Sequence, residues 1–327
     1  MSRLSFIAWS PIDGRSEEIA GALGGEARCF YRRGRFGKLS VLGRYGWSAI
    51  ATWRYLRSRR PATVIATNPP IFPALVAYAY ARLGGARLAL DSHPGGFGLQ
   101  GDRVSRLLQP LHSWLARRAA TTLVTDDRLA RRVDGWGGRA DIVHEAPAEW
   151  RGRPRRELRP RPRILFVCVF QRDEPVAEVL EAARRAPELD VHVTGDVAKC
   201  PRRLRDAASP NVRFTGFLSG EDYELAVLDA DVVLALTTEP SSVVRAGYEA
   251  VYAERPLVVS DWPASREVFP QAVHVSNDAA GIAAGLRRAV FEHERLVRAA
   301  PGALSLQRKR WDAQLHALRE RLTPTTG

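Results

Sequence analysis

Two clusters in this 327-residue chain have the residue types and spacing to handle a charged, hydroxylated small molecule. The first follows the apolar run Val232–Leu236. Thr237, Thr238, Glu239 and Pro240 break that run, and Ser241 or Ser242 can cap a helix whose apolar positions recur at Val243, Val244, Gly247 and Val251. The first amides of such a helix lack intrahelical partners and carry about half a positive charge. Ser241, Ser242 and Val243 therefore suit a phosphate, with Arg245 as an added cation. Glu249 lies eight residues beyond Ser241, about 12 Å along a helix axis. A carboxylate there can accept two hydrogen bonds from the vicinal diol of a ribose, although a solvated glutamate on an ordinary helix has the same spacing.

The second cluster is Asp91-Ser92-His93-Pro94-Gly95-Gly96-Phe97-Gly98, directly after the apolar strand Arg87–Leu90. Short polar side chains and glycines at a strand end let the backbone fit against a ligand. Asp91 either orients this loop or accepts a proton, and His93 is either a ligand-contacting group or a hydrogen-bonded structural one. Two weaker signals precede it. Gly14 allows close backbone approach in the loop after the first strand, Arg15 beside it can meet an anion, and Ser16 can cap the next helix. Asn68 sits in Thr67-Asn68-Pro69-Pro70 at the end of the strand Thr63–Ala66.

These residues need strands and helices to hold them. Leu4–Trp9, Thr63–Ala66, Arg87–Leu90, Thr121–Thr125 and Ile142–His144 read as short strands, and so do Ile164–Phe170, Val191–Thr194, Val212–Leu218, Val232–Leu236 and Leu257–Val259. Helical spacing separates most of them, including Leu39–Arg60, Phe72–Leu83, Arg103–Ala119 with Pro110 kinking or dividing it, Val176–Arg185, Ala279–Arg298 and Leu304–Leu322. Strand and helix at this cadence predict an α/β protein with parallel, doubly wound sheets. The chain length suits two units of roughly 150 residues. The boundary is expected in 151–163, RGRPRRELRPRPR, where seven arginines, three prolines and one acid cannot form a core and read as an extended linker.

The stretch EPSSVVRAGYEAVYAERPLVVSD (239–261) resembles the nucleotide-sugar motif of glycosyltransferases with the GT-B architecture, in particular the retaining family 4. The first acid of that family's two-glutamate motif falls at Ser241 here, with Glu239 two residues early, whereas Glu249 keeps the ribose position. The resemblance implies two Rossmann-like domains facing a central cleft: an acceptor domain over 1–150, a donor domain over 164–300, and a helix over 301–327 packing back on the first domain. It implies that the loop of Gly14 and Arg15, and that of Asn68, face the cleft, and that His93 contacts the donor sugar. The family places Arg and Lys after the first strand of the donor domain to hold the diphosphate. Here Arg172 stands alone, with Lys199 and Arg202 as substitutes, while Phe217 and Leu218 would receive the base through their backbone.

The resemblance implies transfer of a sugar from a nucleoside diphosphate to an acceptor hydroxyl, with retention of configuration and no cofactor or metal. The acceptor is open between a lipid-linked and a small molecule. Two other readings stay open: a sugar-nucleotide epimerase of the same architecture, and a non-catalytic basic protein on nucleic acid or anionic membrane. Forty-nine Lys and Arg against 36 Asp and Glu give a net charge of +13, which attracts polyanions but also follows from an Arg-, Ala- and Gly-rich composition. No specific nucleic-acid partner is expected. The basic, Trp-bearing segment 39–60 suits peripheral membrane contact, or packs its aromatics on the sheet with its arginines solvated. No membrane span or signal pattern is evident, so a cytoplasmic location is expected, free or at the inner face of the membrane. Cys29, Cys168 and Cys200 are too few and too scattered for a metal or disulfide framework, and Cys168 reads as core.

Overall fold

The computed structural model of the protein describes residues 4–11, 13–32, 38–99, 103–152 and 154–323. Arg153 of the expected linker, residues 324–327 of the expected tail and the side chains of Leu39 and Leu42 lie outside them. The chain divides into two compact units, residues 1–146 with 311–327, and residues 147–310.

Unit 1 alternates strand and helix. In order come β1 (Leu4–Ala8), α1 (Gly14–Ala22), β2 (Glu26–Cys29), α2 (Lys38–Arg59), β3 (Thr63–Asn68) and α3 (Phe72–Gly84). Then follow β4 (Arg87–Ser92), α4 (Arg103–Leu107), α5 (Gln109–Ala116), β5 (Thr121–Val124), α6 (Asp127–Gly135) and β6 (Ala140–Ile142). Every pairing is parallel, in the order β2-β1-β3-β4-β5-β6. The central strands are buried on both sides because their apolar runs are continuous. One face carries a core of Ile7, Trp9, Leu56, Val64, Ala74, Leu90 and Leu115, into which α2, α3 and α5 pack. The other buries Phe6, Ile19, Ile65 and Leu123 against Trp311, Leu315, Leu318 and Leu322. Those last four recur at helical spacing and give the end of the chain its single apolar stripe.

Unit 2 contains β7 (Arg163–Phe166), α7 (Val176–Arg185), β8 (Asp190–Thr194), α8 (Arg202–Asp206), β9 (Val212–Gly216) and α9 (Glu221–Asp229). It continues with β10 (Val232–Ala235), α10 (Arg245–Tyr252), β11 (Leu257–Ser260), α11 (Pro263–Val268), β12 (Val273–Val275), α12 (Ala279–Phe291) and α13 (His293–Leu322), whose residues from Trp311 on belong to unit 1. Its sheet is also parallel, in the order β12-β11-β10-β7-β8-β9. Winding reverses between β7 and β10, and ligands of such sheets bind outside the carboxyl ends of the strands at that point.

Several expectations are corrected. The Arg/Pro segment is no free spacer, because acids distant in sequence anchor it to unit 2. Arg159 pairs with Asp231 at 3.1 Å and also with Asp229, the Arg163 amide donates to Asp231 at 2.7 Å, and Arg156 pairs with Glu254 at 2.9 Å. Unit 2 accordingly begins at Pro147, and unit 1 resumes at Trp311 instead of 301. The helix expected over 279–298 breaks at Glu292, and α13 runs from His293 through Pro301. An interior proline costs about 3 kcal/mol, and burial of Leu296, Ala300 and Trp311 along the same helix offsets it. Strand β12 was not expected at all; three residues are too few for a period to show.

Asp231 is completely buried. Asp231→Ala leaves Arg159 its Asp229 partner but strands the Arg163 amide, and is expected to cost about 1–3 kcal/mol, read as a lower midpoint in urea unfolding.

Candidate active site

In each unit the singled-out residues gather at the carboxyl edge of one parallel sheet. In unit 1, Gly14 opens α1 and Arg15 follows it, Asn68 ends β3, Asp91 lies inside β4, and His93 comes next. Arg15 is 4 % exposed and fully engaged inside the unit. Its guanidinium donates to Asp91 at 3.3 Å, to Glu145 Oε1 at 2.9 Å, and to the carbonyls of Val143 and His144 at 2.8 and 3.1 Å. The expectation that it meets an external anion is therefore corrected: its anions are internal. Asp91 Oδ2 also lies 3.2 Å from His93 Nε2, whose side chain is 34 % exposed.

The chain Glu145–Arg15–Asp91–His93 thus runs from the interior to the surface. Burial alone would raise the Asp91 pKa, but the charges of Arg15 and His93 outweigh it and hold it at about 2. For His93 burial favours the neutral ring, yet the charge and hydrogen bond of Asp91 raise it above its ordinary 6.5. Asp91 is thus held as a carboxylate beside His93 and favours the charged form of that ring.

The loop beyond His93 is held rigidly. The His93 amide donates to the Asn68 carbonyl at 2.8 Å, and a Cβ on Gly96 would lie 2.7 Å from Asn68 Nδ2, so only glycine fits there. Asn68 is buried and serves this packing. His112, which the sequence reading missed, bridges Ser92 Oγ (3.0 Å) and the Gly96 carbonyl (3.1 Å). Burial lowers its pKa to about 4, so it stays neutral. The missed cap of α1 is Asp13, whose side chain accepts from the Ser16 amide at 3.1 Å. An Asp three residues before Ser at a strand–helix junction was a legible signal.

Unit 2 places Arg172 after β7, Lys199 after β8, Phe217 and Leu218 after β9, and Ser241–Arg245 after β10. Arg172 and Lys199 are exposed, as is Phe217 at 70 %, while Leu218 is half-buried. The loops at the winding reversal are tied together: the Thr238 amide donates to the Asp173 carbonyl at 2.7 Å and the Thr237 hydroxyl to Asp173 Oδ2 at 3.1 Å. Thr237 is further fixed by Ser260, Asn277 and Trp262. Glu174 folds back to accept from the amides of Val169 and Gln171 at 3.1 and 2.7 Å.

The helix expected to start at Ser241 starts at Arg245, with Val244 in extended backbone before it. The amides of Ser241 and Ser242 are already used, donating to the Glu239 side chain (3.3 Å) and carbonyl (3.0 Å). The phosphate assignment to Ser241, Ser242 and Val243 as helix amides is therefore corrected, and the amino end of α10 lies at Arg245. Glu249 consequently sits one turn into α10. Its Oε1 accepts from Arg245 Nε at 3.0 Å, and its Oε2 accepts from the hydroxyl of Tyr223, another residue missed. Burial and the Glu249 charge raise the Tyr223 pKa well above its usual value, so the phenol remains a donor. Among the described residues, no group of three His, Cys, Asp or Glu side chains is arranged to hold a metal ion.

Two doubly wound parallel sheets with polar residues at their carboxyl edges define an α/β protein of two Rossmann-like domains. The pattern of the glycosyl transferase 4-like domain matches residues 11–149, and that of the glycosyl transferases group 1 matches residues 161–290. Together they span most of the chain, which belongs to the family 4-like glycosyltransferases of GT-B architecture. No curated protein matches it in sequence. Among solved structures it resembles a sucrose-phosphate synthase from Thermosynechococcus elongatus (TM-score 0.75, 14 % identity, 97 % of each chain covered). It also resembles the trehalose-phosphate synthase (UDP-forming) of Burkholderia xenovorans in complex with glucose-6-phosphate (0.72, 13 %, 98 % of this chain and 100 % of the other). A third is Anabaena HepE in complex with UDP and glucose (0.69, 13 %, 99 % and 100 %).

The His93–Asp91 pair sets a pH dependence. Because the folded pKa of His93 is raised, its contribution to stability is complete below about 6.5 and is lost as pH rises through the higher folded value. Asp91→Asn is expected to move the NMR titration of His93 from above 6.5 to below it, since burial and Arg15 then act unopposed.

Proposed function

We propose that this protein transfers a sugar from a nucleoside diphosphate sugar to an acceptor hydroxyl, with unit 2 binding the donor and unit 1 the acceptor. The observation that carries this reading is Glu249: a half-buried carboxylate on α10, braced by Tyr223 and Arg245 beside the winding reversal of a Rossmann-like sheet. Two of about four lone-pair positions on the carboxylate are used, which leaves acceptors for a ribose diol. The exposed Phe217 follows the edge strand β9 and is assigned to the base, through its backbone and that of Leu218.

As the glycosidic bond breaks, charge accumulates on the leaving diphosphate. Arg172, Lys199 and Arg245 follow three strands of one sheet edge and are assigned to meet it, so that charge of the protein stabilises the leaving group. Protein cations then supply the counter-charge in place of a divalent ion. His93 is assigned to the donor sugar, with Asp91 as its positioning residue. Retention of configuration is supported by the resemblance to family 4. A uridine diphosphate hexose is the first donor to test, because HepE has been solved with UDP and with UDP-glucose and the trehalose-phosphate synthase is described as UDP-forming.

Thermal-shift screening against UDP, GDP, ADP and dTDP sugars tests the reading, since a ligand at 100 times its Kd adds about 2.7 kcal/mol. One of the donors is expected to raise the melting temperature, and Glu249→Ala to abolish that rise while leaving the fold intact. No shift with any donor would refute the proposal. Tyr223→Phe leaves the carboxylate in place but removes its orienting donor; it is expected to raise KM for the donor several-fold with kcat little changed.

A further inference from the structure

The net charge of the chain has a single source. Residues 27–90 contain twelve of the 49 cations and none of the 36 acids, so the remainder of the chain holds 37 cations against 36 acids. The second basic stretch, 151–163, is balanced by acids elsewhere in the remainder, whereas the segment of unit 1 that includes α2 and α3 contains none. Outside the segment, Glu26 offers one partner, 3.7 Å from Arg59. Arg28, Arg32, Arg54, Arg57, Arg60 and Arg82 are exposed.

The same two helices carry an apolar outer surface. On α2, Tyr45, Trp53 and Leu56 turn inward to the core, while Trp47 and Ile50, one turn apart, are 41 % and 62 % exposed. On α3, Leu75, Ala79 and Leu83 recur every four residues, and Leu83 is 74 % exposed. A shallow depression between the helices is lined by Ala49, Ile50, Trp53, Leu75, Val76 and Ala79, with no polar side chain among them. Arg54 and Arg57 continue the Trp47–Ile50 stripe of α2, and Arg82 adjoins Leu83.

We propose that this α2–α3 face docks on the surface of an anionic lipid bilayer, Trp47, Ile50 and Leu83 entering the interface and the arginines meeting lipid phosphates. Charge complementarity selects that occupant. A second copy of the chain would set one acid-free, cation-bearing segment against another, and a nucleic-acid backbone offers nothing to the aliphatic side chains of Ile50 and Leu83. Lipid supplies both an anionic layer and an apolar one. No helix among the described residues is long and apolar enough to cross a membrane, so the contact lies in the plane of the interface. This inference is independent of the glycosyltransferase reading.

Co-sedimentation of the 327-residue chain with phosphatidylcholine vesicles, with and without phosphatidylglycerol, tests it. Binding is expected only with phosphatidylglycerol, and is expected to weaken with salt. Since each cation near an anionic surface contributes roughly fivefold to partitioning, Arg54→Glu with Arg57→Glu should reduce binding at least about twentyfold. Ile50→Asp with Leu83→Asp should reduce it about tenfold through lost apolar insertion, with the circular dichroism spectrum unchanged. Phe291→Asp, at a position 91 % exposed in unit 2, should leave binding unaltered. The proposal is overturned by equal binding to both vesicles or to neither, or by a Phe291 variant as impaired as the others. It is equally overturned if only the charge variants lose binding and duplex DNA competes the vesicles away, which would make the face a site for nucleic acid.

Discussion

A charge taken out of water costs several kcal/mol unless another charge or a set of hydrogen bonds receives it, and this constraint shapes the functional edge of both sheets. In unit 1 the buried carboxylate of Asp91 is tolerable because Arg15 lies against it, and Arg15 in turn because Glu145 and two carbonyls complete its guanidinium. The residue left at the end of that chain is His93, partly exposed and biased toward its charged form. In unit 2 the carboxylate of Glu174 is wrapped by loop amides at that edge, and at the opposite, amino edge of the sheet Asp231 collects Arg159 and the Arg163 amide. Neutralised groups of this kind are scaffolding. The side chains left over at the rim are the ones available to a ligand.

Glu249 illustrates how a rim carboxylate is prepared. A neutral phenol on one oxygen and a guanidinium on the other fix its plane without consuming all its acceptor capacity. The fixing partners come from two different elements, α9 and α10, and the loop before α10 is locked through Thr237 to β11 and to the loop after β12. A carboxylate held this way loses little conformational freedom on binding a diol, which is the general benefit of preorganisation.

Arginine does opposite work in two parts of the chain. Along 155–163 of unit 2 it is drawn onto Asp229, Asp231 and Glu254, so a segment with the composition of a solvated spacer becomes part of a folded surface. The sequence of α2 and α3 in unit 1 contains no acid, and Arg54, Arg57 and Arg82 stay exposed beside exposed apolar side chains. The same residue type is thus drawn inward where acids lie near, as at Arg15 and Arg159, and stays at the surface where the local sequence has none.

The order and type of nearly every element could be read from the chain, because each rests on a local signal. Val232–Ala235 and Leu257–Ser260 are continuous apolar runs, α7 spans Val176–Arg185 as its spacing predicts, and Pro110 divides the helix around it. The carboxyl-edge location of His93 and Glu249 followed from the same strand–helix alternation. Tertiary structure decided what those residues are attached to. Arg15 meets Asp91 and Glu145 across separations of 76 and 130 positions, and Tyr223 meets Glu249 across 26, distances over which neither period nor spacing carries information. The start of α10 shifted for a similar reason: Glu239 captured the amides that a helix beginning at Ser241 would have left free. Hydrophobic periodicity is a property of neighbouring residues and is written into the chain, whereas the pairing of buried charges depends on which strands lie side by side, and only the folded sheet fixes that.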